Sequence, residues 1–278
     1  MNENVLNKEI RYDSTNTIKS VGNDQHAIIA DIIKLYNNGN DIDADITYST
    51  GNFYGVHGDV TINQPNLKFD VAPMDETITK IEPWGELPLP DKSIHSCMFD
   101  PPFVISPRDC PSVDKIDESD NTCMIFKRFS GYYPVNELLD SYLHWLTEMY
   151  RVLVNDGIAI VKCQPTVSGG KQLNSHHYIW FVAECLGFDV VDEFVLLAKG
   201  GRIISGKVKN QQHARKYHSY FYVLKKDNRK KCSYLNFMDD EQAMNMVKSF
   251  YNNNLGKKNG QNLMYRENVV AQRNNMNK

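Results

Sequence analysis

From residue 24 to residue 226 the chain alternates stretches in which hydrophobic residues recur with a helical period and short apolar runs typical of strands. Residues 25–36 carry isoleucines on one helical face, and Asp24 is placed to cap that helix at its N-terminus. Residues 134–153 carry the longest helical stripe, and a third helix, ended by a glycine, is predicted at 175–186. The pattern therefore predicts three helices in this part of the chain.

The strands are predicted from apolar runs that lie between and after these helices. They cover residues 44–48, 67–71, 94–99, 158–163, 188–198 and 217–224. Strands that alternate with helices favour a parallel sheet with helices on both faces. The last two strands are expected to pair as a terminal antiparallel hairpin, which would add one antiparallel strand at the edge. The predicted fold class is α/β with a mostly parallel sheet.

Three segments depart from this alternation and divide the chain. Residues 1–23 are polar and aperiodic, so we expect a flexible N-terminal segment before a domain that spans residues 24–226. Residues 104–133 have mixed charge and little periodicity, which within a compact domain indicates a functional or disordered loop. Residues 227–278 contain a weakly helical stretch at 239–251 and end in an Asn-rich tail that we expect to be mobile.

Composition narrows the classes of partner and cofactor. The 278 residues carry a formal net charge of −3, so binding to nucleic acid must come from a local basic patch. The six cysteines have no C-x-x-C spacing and no secretory signal precedes them, which predicts reduced thiols in the cytoplasm and no metal site. The longest apolar runs are shorter than the roughly 18 residues that a membrane span needs, so no membrane partner is expected.

The sharpest candidate for catalysis follows the predicted strand at 94–99. There the chain continues with Asp100, Pro101, Pro102 and Phe103. The exocyclic amino group of adenine or cytosine is a poor nucleophile, because its lone pair is delocalised into the ring. A carboxylate and the Pro101 carbonyl that accept its two N–H bonds would free the lone pair, while the aromatic ring stacks on an extruded base. The alternative is an ordinary strand-ending turn, since Asp-Pro is common in turns.

A second candidate, for binding a cofactor, follows the first predicted strand. Small residues alternate through Asp45, Thr47, Ser49 and Gly51, and such a loop lets the backbone approach a ligand closely. Asp70 ends the next strand, where an acid is placed to bind ribose hydroxyls. The alternatives are an ordinary turn for the loop and a capping or surface role for Asp70.

Basic residues that are candidates for contacting nucleic acid lie in the loops. They are Arg128 in the loop at 104–133, Lys171 after a pair of glycines, and Arg202, Lys207, His213, Arg215 and Lys216 between the last two strands. Contact with phosphates is the natural use of such a cluster and would make the affinity depend on salt. A solvated basic loop, and for Lys171 a glycine-rich connector, are the alternatives.

Taken in order, these motifs resemble those of class I S-adenosylmethionine-dependent amino-methyltransferases, particularly the phage and bacterial enzymes that methylate adenine N6 or cytosine N4 in DNA. The resemblance covers about residues 25–226. Asp45 and Gly51 stand in register with the family's Asp-Pro-Phe-x-Gly-x-Gly motif. Thr47 and Ser49 replace its aromatic residue and a glycine.

The resemblance also implies roles, a fold and a substrate. Asp70 stands where the family binds the ribose of its cofactor, Glu86 where an acid flanks the cofactor's adenine, and residues 100–103 where the target amino group is held. The implied fold is the Rossmann-like class I methyltransferase fold with a seven-stranded sheet. The implied cofactor is S-adenosyl-L-methionine, with no metal. The implied partner is double-stranded DNA with the target base flipped, and nothing in the sequence calls for an oligomer.

Several functions are compatible with the resemblance. Adenine N6 is favoured over cytosine N4, because the family's cytosine-N4 members more often carry serine in place of Asp100. An RNA methyltransferase acting on adenine N6 or guanine N2 is the closest alternative, although no RNA-binding domain is recognisable. An inactive relative that binds nucleic acid or regulates is a further alternative, which Ser49 supports and the intact residues 100–103 oppose. Restriction-modification and protection of phage DNA are both compatible roles for an active enzyme.

Overall fold

The computed structural model describes several stretches of the chain and a single residue near its end. They are residues 17–103, 135–168, 171–198, 210–211, 213–226 and Asn245. The predicted loop at 104–133 and the predicted helix at 239–251, apart from Asn245, lie outside these stretches.

Helices and strands alternate along the described residues, as the hydrophobic pattern predicts. In chain order the elements are β1 (Val21–Gly22), α1 (Gln25–Tyr36), β2 (Ala44–Asp45), β3 (Gly55–His57), β4 (Val60–Ile62), β5 (Leu67–Asp70), β6 (Thr79–Lys80), β7 (Ile94–Phe99), α2 (Val135–Val152), β8 (Leu153–Cys163), β9 (Thr166–Ser168), β10 (Lys171–Leu173), α3 (Ser175–Leu186), β11 (Phe188–Leu197) and β12 (His218–Lys226).

Within the described stretches, the main sheet has eight strands in the order β1-β11-β12-β8-β7-β2-β5-β6. Neighbouring strands are parallel except at β12, which runs antiparallel to both β11 and β8. The prediction of a mostly parallel α/β sheet is confirmed. The sheet has eight strands and not the expected seven, because β1 adds a strand within the segment expected to be flexible. The antiparallel strand is not at the expected edge position, because β12 lies inside the sheet between β11 and β8.

Burial and strand length explain both differences. Residues 221–224 of β12 are each at most 2% exposed, and a strand that is apolar on both faces belongs in the interior of a sheet. β1 has only two residues, too few for any periodicity to reveal it. It is held in place by parallel pairing of Val21 with Val195 on β11.

Helices cover both faces of the sheet. On β8, Ala159 and Val161 pack in a cluster with residues of α2 and α3, whereas Ile158 and Ile160 pack in a second cluster with residues of α1. Alternate residues of a strand point to opposite faces, so these clusters lie on the two sides of the sheet. None of the helices among the described residues has the length and apolar character of a membrane span.

Capping residues set the boundaries of α1 and α3. The Asp24 carboxylate accepts hydrogen bonds from the backbone N atoms of His26 (2.9 Å) and Ala27 (3.4 Å), so α1 begins directly after it. Gly187 ends α3 in the left-handed conformation, with φ of 104°. Both boundaries agree with the sequence prediction.

A buried ion pair fastens the segment before β7 to α2. Arg151 Nη2 lies 2.7 Å from Glu148 Oε2, and the guanidinium also donates to the carbonyl oxygens of Leu87 (3.0 Å) and Leu89 (2.8 Å). Glu148 is 3% exposed and accepts a further hydrogen bond from the backbone N of Leu87 at 2.7 Å. This network positions the segment that contains Glu86.

Replacing Arg151 with methionine is expected to lower the free energy of unfolding by about 3 kcal/mol, because Glu148 would keep a buried charge without its counter-ion. Urea denaturation followed by circular dichroism measures the change. Lys225→Met is the control, since Lys225 pairs with Asp156 at 3.1 Å on the surface, where an ion pair contributes less than about 1 kcal/mol. Equal losses of unfolding free energy in the two variants would contradict the larger contribution expected of the buried ion pair.

Candidate active site

The predicted site residues converge at one edge of the main sheet. β5, β2, β7 and β8 are parallel neighbours, so their carboxyl ends lie at the same edge. Asp70 ends β5, Asp45 ends β2 and Asp100 directly follows β7. In open α/β sheets this is the edge at which ligands bind.

Thr47 joins two of these acids. Its backbone N donates to Asp45 Oδ1 at 2.8 Å, and its hydroxyl lies 3.4 Å from the same oxygen. The hydroxyl also accepts a hydrogen bond from the backbone N of Asp100 at 2.7 Å. Residues 46–54, which we call the β2 loop, and residues 100–103 are therefore directly connected.

Asp45 is buried and held by donors of its own chain. Its second carboxylate oxygen accepts a hydrogen bond from the Tyr54 hydroxyl at 2.7 Å. Burial raises the pKa of Asp45 to about 7, although the hydrogen bonds from Tyr54 and Thr47 act in the opposite direction. Burial and the nearby Asp45 also raise the pKa of Tyr54, so its hydroxyl remains a donor. The orientation of the Asp45 carboxylate is thus fixed.

The β2 loop turns back towards β5 at Ser49. The backbone N of Ser49 donates to Asp70 Oδ2 at 2.8 Å, and that of Ala72 donates to the other oxygen at 2.8 Å. Ser49 has φ of 49° and Gly51 φ of 68°, both in the left-handed region that favours glycine. Burial raises the pKa of Asp70, while the two backbone hydrogen bonds lower it.

Asp100 has one carboxylate oxygen engaged and one without a partner. Its Oδ2 lies 3.3 Å from Nζ of Lys162 on β8, and Nζ also lies over the rings of Phe53 (4.9 Å) and Phe221 (5.8 Å). Its Oδ1 is buried and has no hydrogen-bond partner among the described residues. Burial raises the pKa of Asp100, and Lys162 acts in the opposite direction. An acceptor at the ligand-binding edge is therefore left for a donor from outside the described chain.

Tyr142 of α2 anchors the turn that follows Asp100. Its hydroxyl donates to the carbonyl oxygen of Pro102 at 2.6 Å, and its ring is buried. Pro101 is buried, whereas Pro102 and Phe103 are half-buried. Two prolines with fixed φ and one engaged carbonyl make this turn stiff.

No sequence motif marks Tyr54, Tyr142 or Lys162. These residues contact Asp45, the Pro102 carbonyl oxygen and Asp100, respectively. The two tyrosines are indistinguishable in sequence from core aromatic residues. Lys162 carries the one recognisable signal, because a lysine inside the apolar run at 158–163 requires a partner when that run is buried.

The remaining predicted residues are exposed or lie outside the described stretches. Glu86 is exposed. Lys171, His213 and Arg215 are exposed and Lys216 is half-buried, while Arg128, Arg202 and Lys207 lie outside the described residues.

The acids at this edge fit an organic cofactor that carries hydroxyl groups. A carboxylate offers about four lone-pair sites, so Asp70 can accept from a diol in addition to the backbone N atoms of Ser49 and Ala72. Gly51 lets the β2 loop make a turn that a side chain would obstruct. Within the part of the chain that the structure describes, no group of three or more His, Cys, Asp or Glu side chains is arranged to hold a metal ion.

A cleft of about 430 Å³ opens at the opposite edge, where β7 begins. Its polar residues already hold that edge together. Asp43 accepts hydrogen bonds from the backbone N atoms of His95 (2.6 Å) and Ser96 (3.2 Å), and the Ser96 hydroxyl accepts from the backbone N of Asp43 at 3.0 Å. The carboxyl edge, with its unpartnered acceptor, is therefore the stronger candidate.

Solved structures similar to this chain include DNA methyltransferases, at low similarity. A candidate DNA modification methylase of Thermus thermophilus, complexed with S-adenosyl-L-methionine, is 17% identical over 50% of this chain and 50% of that chain, with a TM-score of 0.33. The cytosine-N4-specific PvuII DNA methyltransferase is 15% identical over 50% of this chain and 44% of that chain, with a TM-score of 0.34. A candidate hemolysin from Streptococcus thermophilus is 15% identical over 81% of this chain and 74% of that chain, with a TM-score of 0.38.

Similarity of this degree decides neither the fold nor the function. The chain spans about half the length of the Thermus protein. No family model matches the chain, and no curated protein matches it significantly.

Proposed function

We propose that the chain transfers a methyl group from S-adenosyl-L-methionine to an exocyclic amino group of a base in DNA, with adenine N6 as the preferred target. The observation that carries the proposal is Asp100 Oδ1, a buried acceptor without a partner among the described residues, at the edge where ligands bind. An amino group is the type of donor that this oxygen lacks. The Asp-Pro-Pro-Phe sequence, similar to the catalytic motif of amino-methyltransferases, supports the same conclusion.

The cofactor would be held by residues of β2, β5 and the loop between them. S-adenosyl-L-methionine, when bound, supplies a methyl group activated by its positively charged sulfur. Asp70 would accept hydrogen bonds from the ribose hydroxyls, and Asp45 would hold the β2 loop in shape through Thr47. Glu86 is proposed to flank the adenine ring, as the resemblance implies. Ser49 and Gly51 would bring the backbone close to the ligand.

Ser49 is compatible with an active cofactor site. The family pattern has glycine at a position where Ser49 stands, and Ser49 adopts the left-handed conformation that glycine adopts most readily. Its backbone N still reaches Asp70 at 2.8 Å. Serine therefore costs about 1 kcal/mol of backbone strain at this position while its backbone N contacts Asp70, which weakens the case for an inactive relative.

The chain's part in the reaction would be to activate and position the amino group. Asp100 and the Pro101 carbonyl would accept its two N–H bonds, which frees the nitrogen lone pair, and Phe103 would stack on the flipped base. The lone pair forms the new N–C bond while the C–S bond breaks and its electron pair passes to sulfur. The nitrogen then loses one proton through Asp100 to solvent. Burial, which raises the pKa of Asp100, favours that proton transfer.

The basic residues that the sequence analysis identifies are proposed to contact the DNA backbone. They are Arg128, Lys171, Arg202, Lys207, His213, Arg215 and Lys216. Phosphate contacts of this kind position a duplex without reading its sequence, and they predict an affinity that falls as salt is raised.

The direct test is transfer of labelled methyl from S-adenosyl-L-methionine to unmethylated duplex DNA, beside RNA of the same sequence. Digestion and mass spectrometry are expected to yield N6-methyladenine from the DNA. Detection of N4-methylcytosine would support the proposed reaction but with cytosine as the target base. Label in RNA alone would mean that the substrate is RNA and not DNA. A protein that binds no cofactor and labels neither polymer would contradict the proposal.

Replacing Lys162 with methionine is expected to move the acidic limb of the pH–rate profile to higher pH. Lys162 lowers the pKa of Asp100 and burial raises it, so loss of the ammonium group raises that pKa further. Asp100 must be ionised to accept from the amino group, so activity would be lost sooner as the pH falls. Measuring kcat/KM between about pH 5 and pH 9 shows the shift. Lys162→Arg, which keeps the charge, is expected to retain the wild-type limb; identical limbs in all three proteins would contradict this role.

A further inference from the structure

Three polar groups just beyond β8 are buried without a hydrogen-bond partner among the described residues. They are Gln164 Nε2, Thr166 Oγ1 and His176 Nδ1. Gln164 is 2% exposed and His176 is 7% exposed. A buried polar group left unpaired costs about 1–3 kcal/mol and native proteins contain few of them, so these three groups are candidates for contact with a ligand.

The strand register places Gln164 near Asp100. β7 and β8 are parallel neighbours, and at their carboxyl ends Asp100 and Lys162 are 3.3 Å apart. Gln164 follows Lys162 by two residues and so continues along the same edge. The Ser175 hydroxyl, at the start of α3, donates to the Gln164 carbonyl oxygen at 2.7 Å and fixes the backbone there.

Aromatic rings lie on the β12 side of this region. Tyr220 pairs with Cys163 across β12 and β8, and the His176 ring stacks on it with centroids 4.7 Å apart and planes within 7° of parallel. His218 meets Tyr220 edge-on at 5.3 Å. Burial and the neighbouring His177 and His218 lower the pKa of His176 to about 4. At neutral pH its ring is therefore uncharged, with one nitrogen a donor and the other an acceptor.

Neutral donors and acceptors beside stacked rings match the edge of a nucleobase. A flipped base is read by hydrogen bonds to its Watson–Crick edge and by stacking against rings. In adenine and cytosine the ring nitrogen next to the amino-bearing carbon is an acceptor. The Gln164 side-chain N–H groups are donors, and Gln164 follows Lys162, which contacts the Asp100 carboxylate, by two residues.

We propose that Gln164 determines base specificity by donating a hydrogen bond from Nε2 to the ring nitrogen adjacent to the target amino group. The inference rests on the proposed function, since it takes the amino group to be held by Asp100.

The test removes the two partners of this hydrogen bond one at a time. Wild type, Gln164→Met and Gln164→Glu are assayed on unmethylated duplex DNA and on the same duplex made with 1-deazaadenine, which lacks the ring nitrogen. On normal DNA both variants are expected to lose about ten- to a hundredfold in kcat/KM, with cofactor affinity unchanged. When normal DNA is replaced by the deaza substrate, the kcat/KM of the wild type is expected to fall by a similar factor. The kcat/KM of each variant is expected to fall by less. Gln64→Met, which changes an exposed glutamine, is the control.

The outcomes separate this inference from the proposed function. A wild type that methylates no base in either polymer contradicts the proposed function and the inference with it. A wild type that methylates adenine, but shows the same loss on the deaza substrate as both variants, leaves the function intact and overturns the role of Gln164. Gln164→Glu retains the shape of glutamine, so it decides the question even if Gln164→Met unfolds. If the product is N4-methylcytosine, the same comparison with 3-deazacytosine applies.

Discussion

The Asp100→Ala variant is expected to transfer methyl groups about a thousandfold more slowly than the wild type while it binds S-adenosyl-L-methionine as tightly. The variant loses Oδ1, the buried acceptor that has no partner in the described chain. It keeps the backbone N that donates to the Thr47 hydroxyl at 2.7 Å. The connection to Asp45 and the β2 loop therefore survives, and the loss falls on the chemical step rather than on cofactor binding.

Two further variants make this expectation specific. Asp100→Asn keeps an oxygen acceptor but loses the charge that attracts Lys162, so its rate is expected to fall between those of the wild type and the alanine variant. Asp59→Ala removes an exposed aspartate in the turn between β3 and β4 and is expected to be indistinguishable from the wild type. Single-turnover transfer and calorimetric titration with the cofactor measure the two properties. An Asp100→Ala protein that keeps more than about a tenth of the rate would argue against a catalytic Asp100.

The positions of the acids were predictable from sequence because approximate strand ends are, although β2 ends at Asp45 and not at the predicted residue 48. β7 and α3 have the predicted bounds, and the bounds of α1 follow from a cap that can be recognised in the sequence. Since parallel strands share an edge, knowing where three strands stop is enough to bring Asp45, Asp70 and Asp100 together. The link through Thr47 required the structure, because it depends on how the β2 loop turns.

The residues that hold the acids were not predictable, because their roles arise from pairing across the sheet. Lys162 meets Asp100 only because β8 lies beside β7, and an apolar run with one lysine does not name its neighbour. Tyr54 reaches Asp45 because the β2 loop folds back over nine residues. Strands of two or three residues, such as β1 and β3, were missed for a related reason, since tertiary contacts rather than their own sequence make them extended.

Replacing Gly51 with alanine is expected to weaken binding of S-adenosyl-L-methionine by about ten- to a hundredfold, a loss of roughly 1–3 kcal/mol from overpacking. A Cβ at this position would lie 2.5 Å from the Tyr48 hydroxyl oxygen and 2.6 Å from the ring carbon that bears it. Tyr48 would have to move, and its ring stacks on Tyr54 at 5.6 Å. Tyr54 in turn holds the Asp45 carboxylate at 2.7 Å, so the disturbance reaches the centre of the proposed cofactor site.

Gly58→Ala separates this steric effect from backbone strain. Gly58 has φ of 63°, close to the 68° of Gly51, but a Cβ there would meet nothing within 4 Å. Both variants therefore carry the same left-handed strain of about 1 kcal/mol, and only Gly51→Ala displaces Tyr48. Thermal melting is expected to show a larger loss of stability in Gly51→Ala than in Gly58→Ala, and calorimetric titration with the cofactor is expected to show a loss of affinity confined to Gly51→Ala. Unchanged affinity in Gly51→Ala would contradict the proposed dependence of cofactor binding on the conformation of the β2 loop.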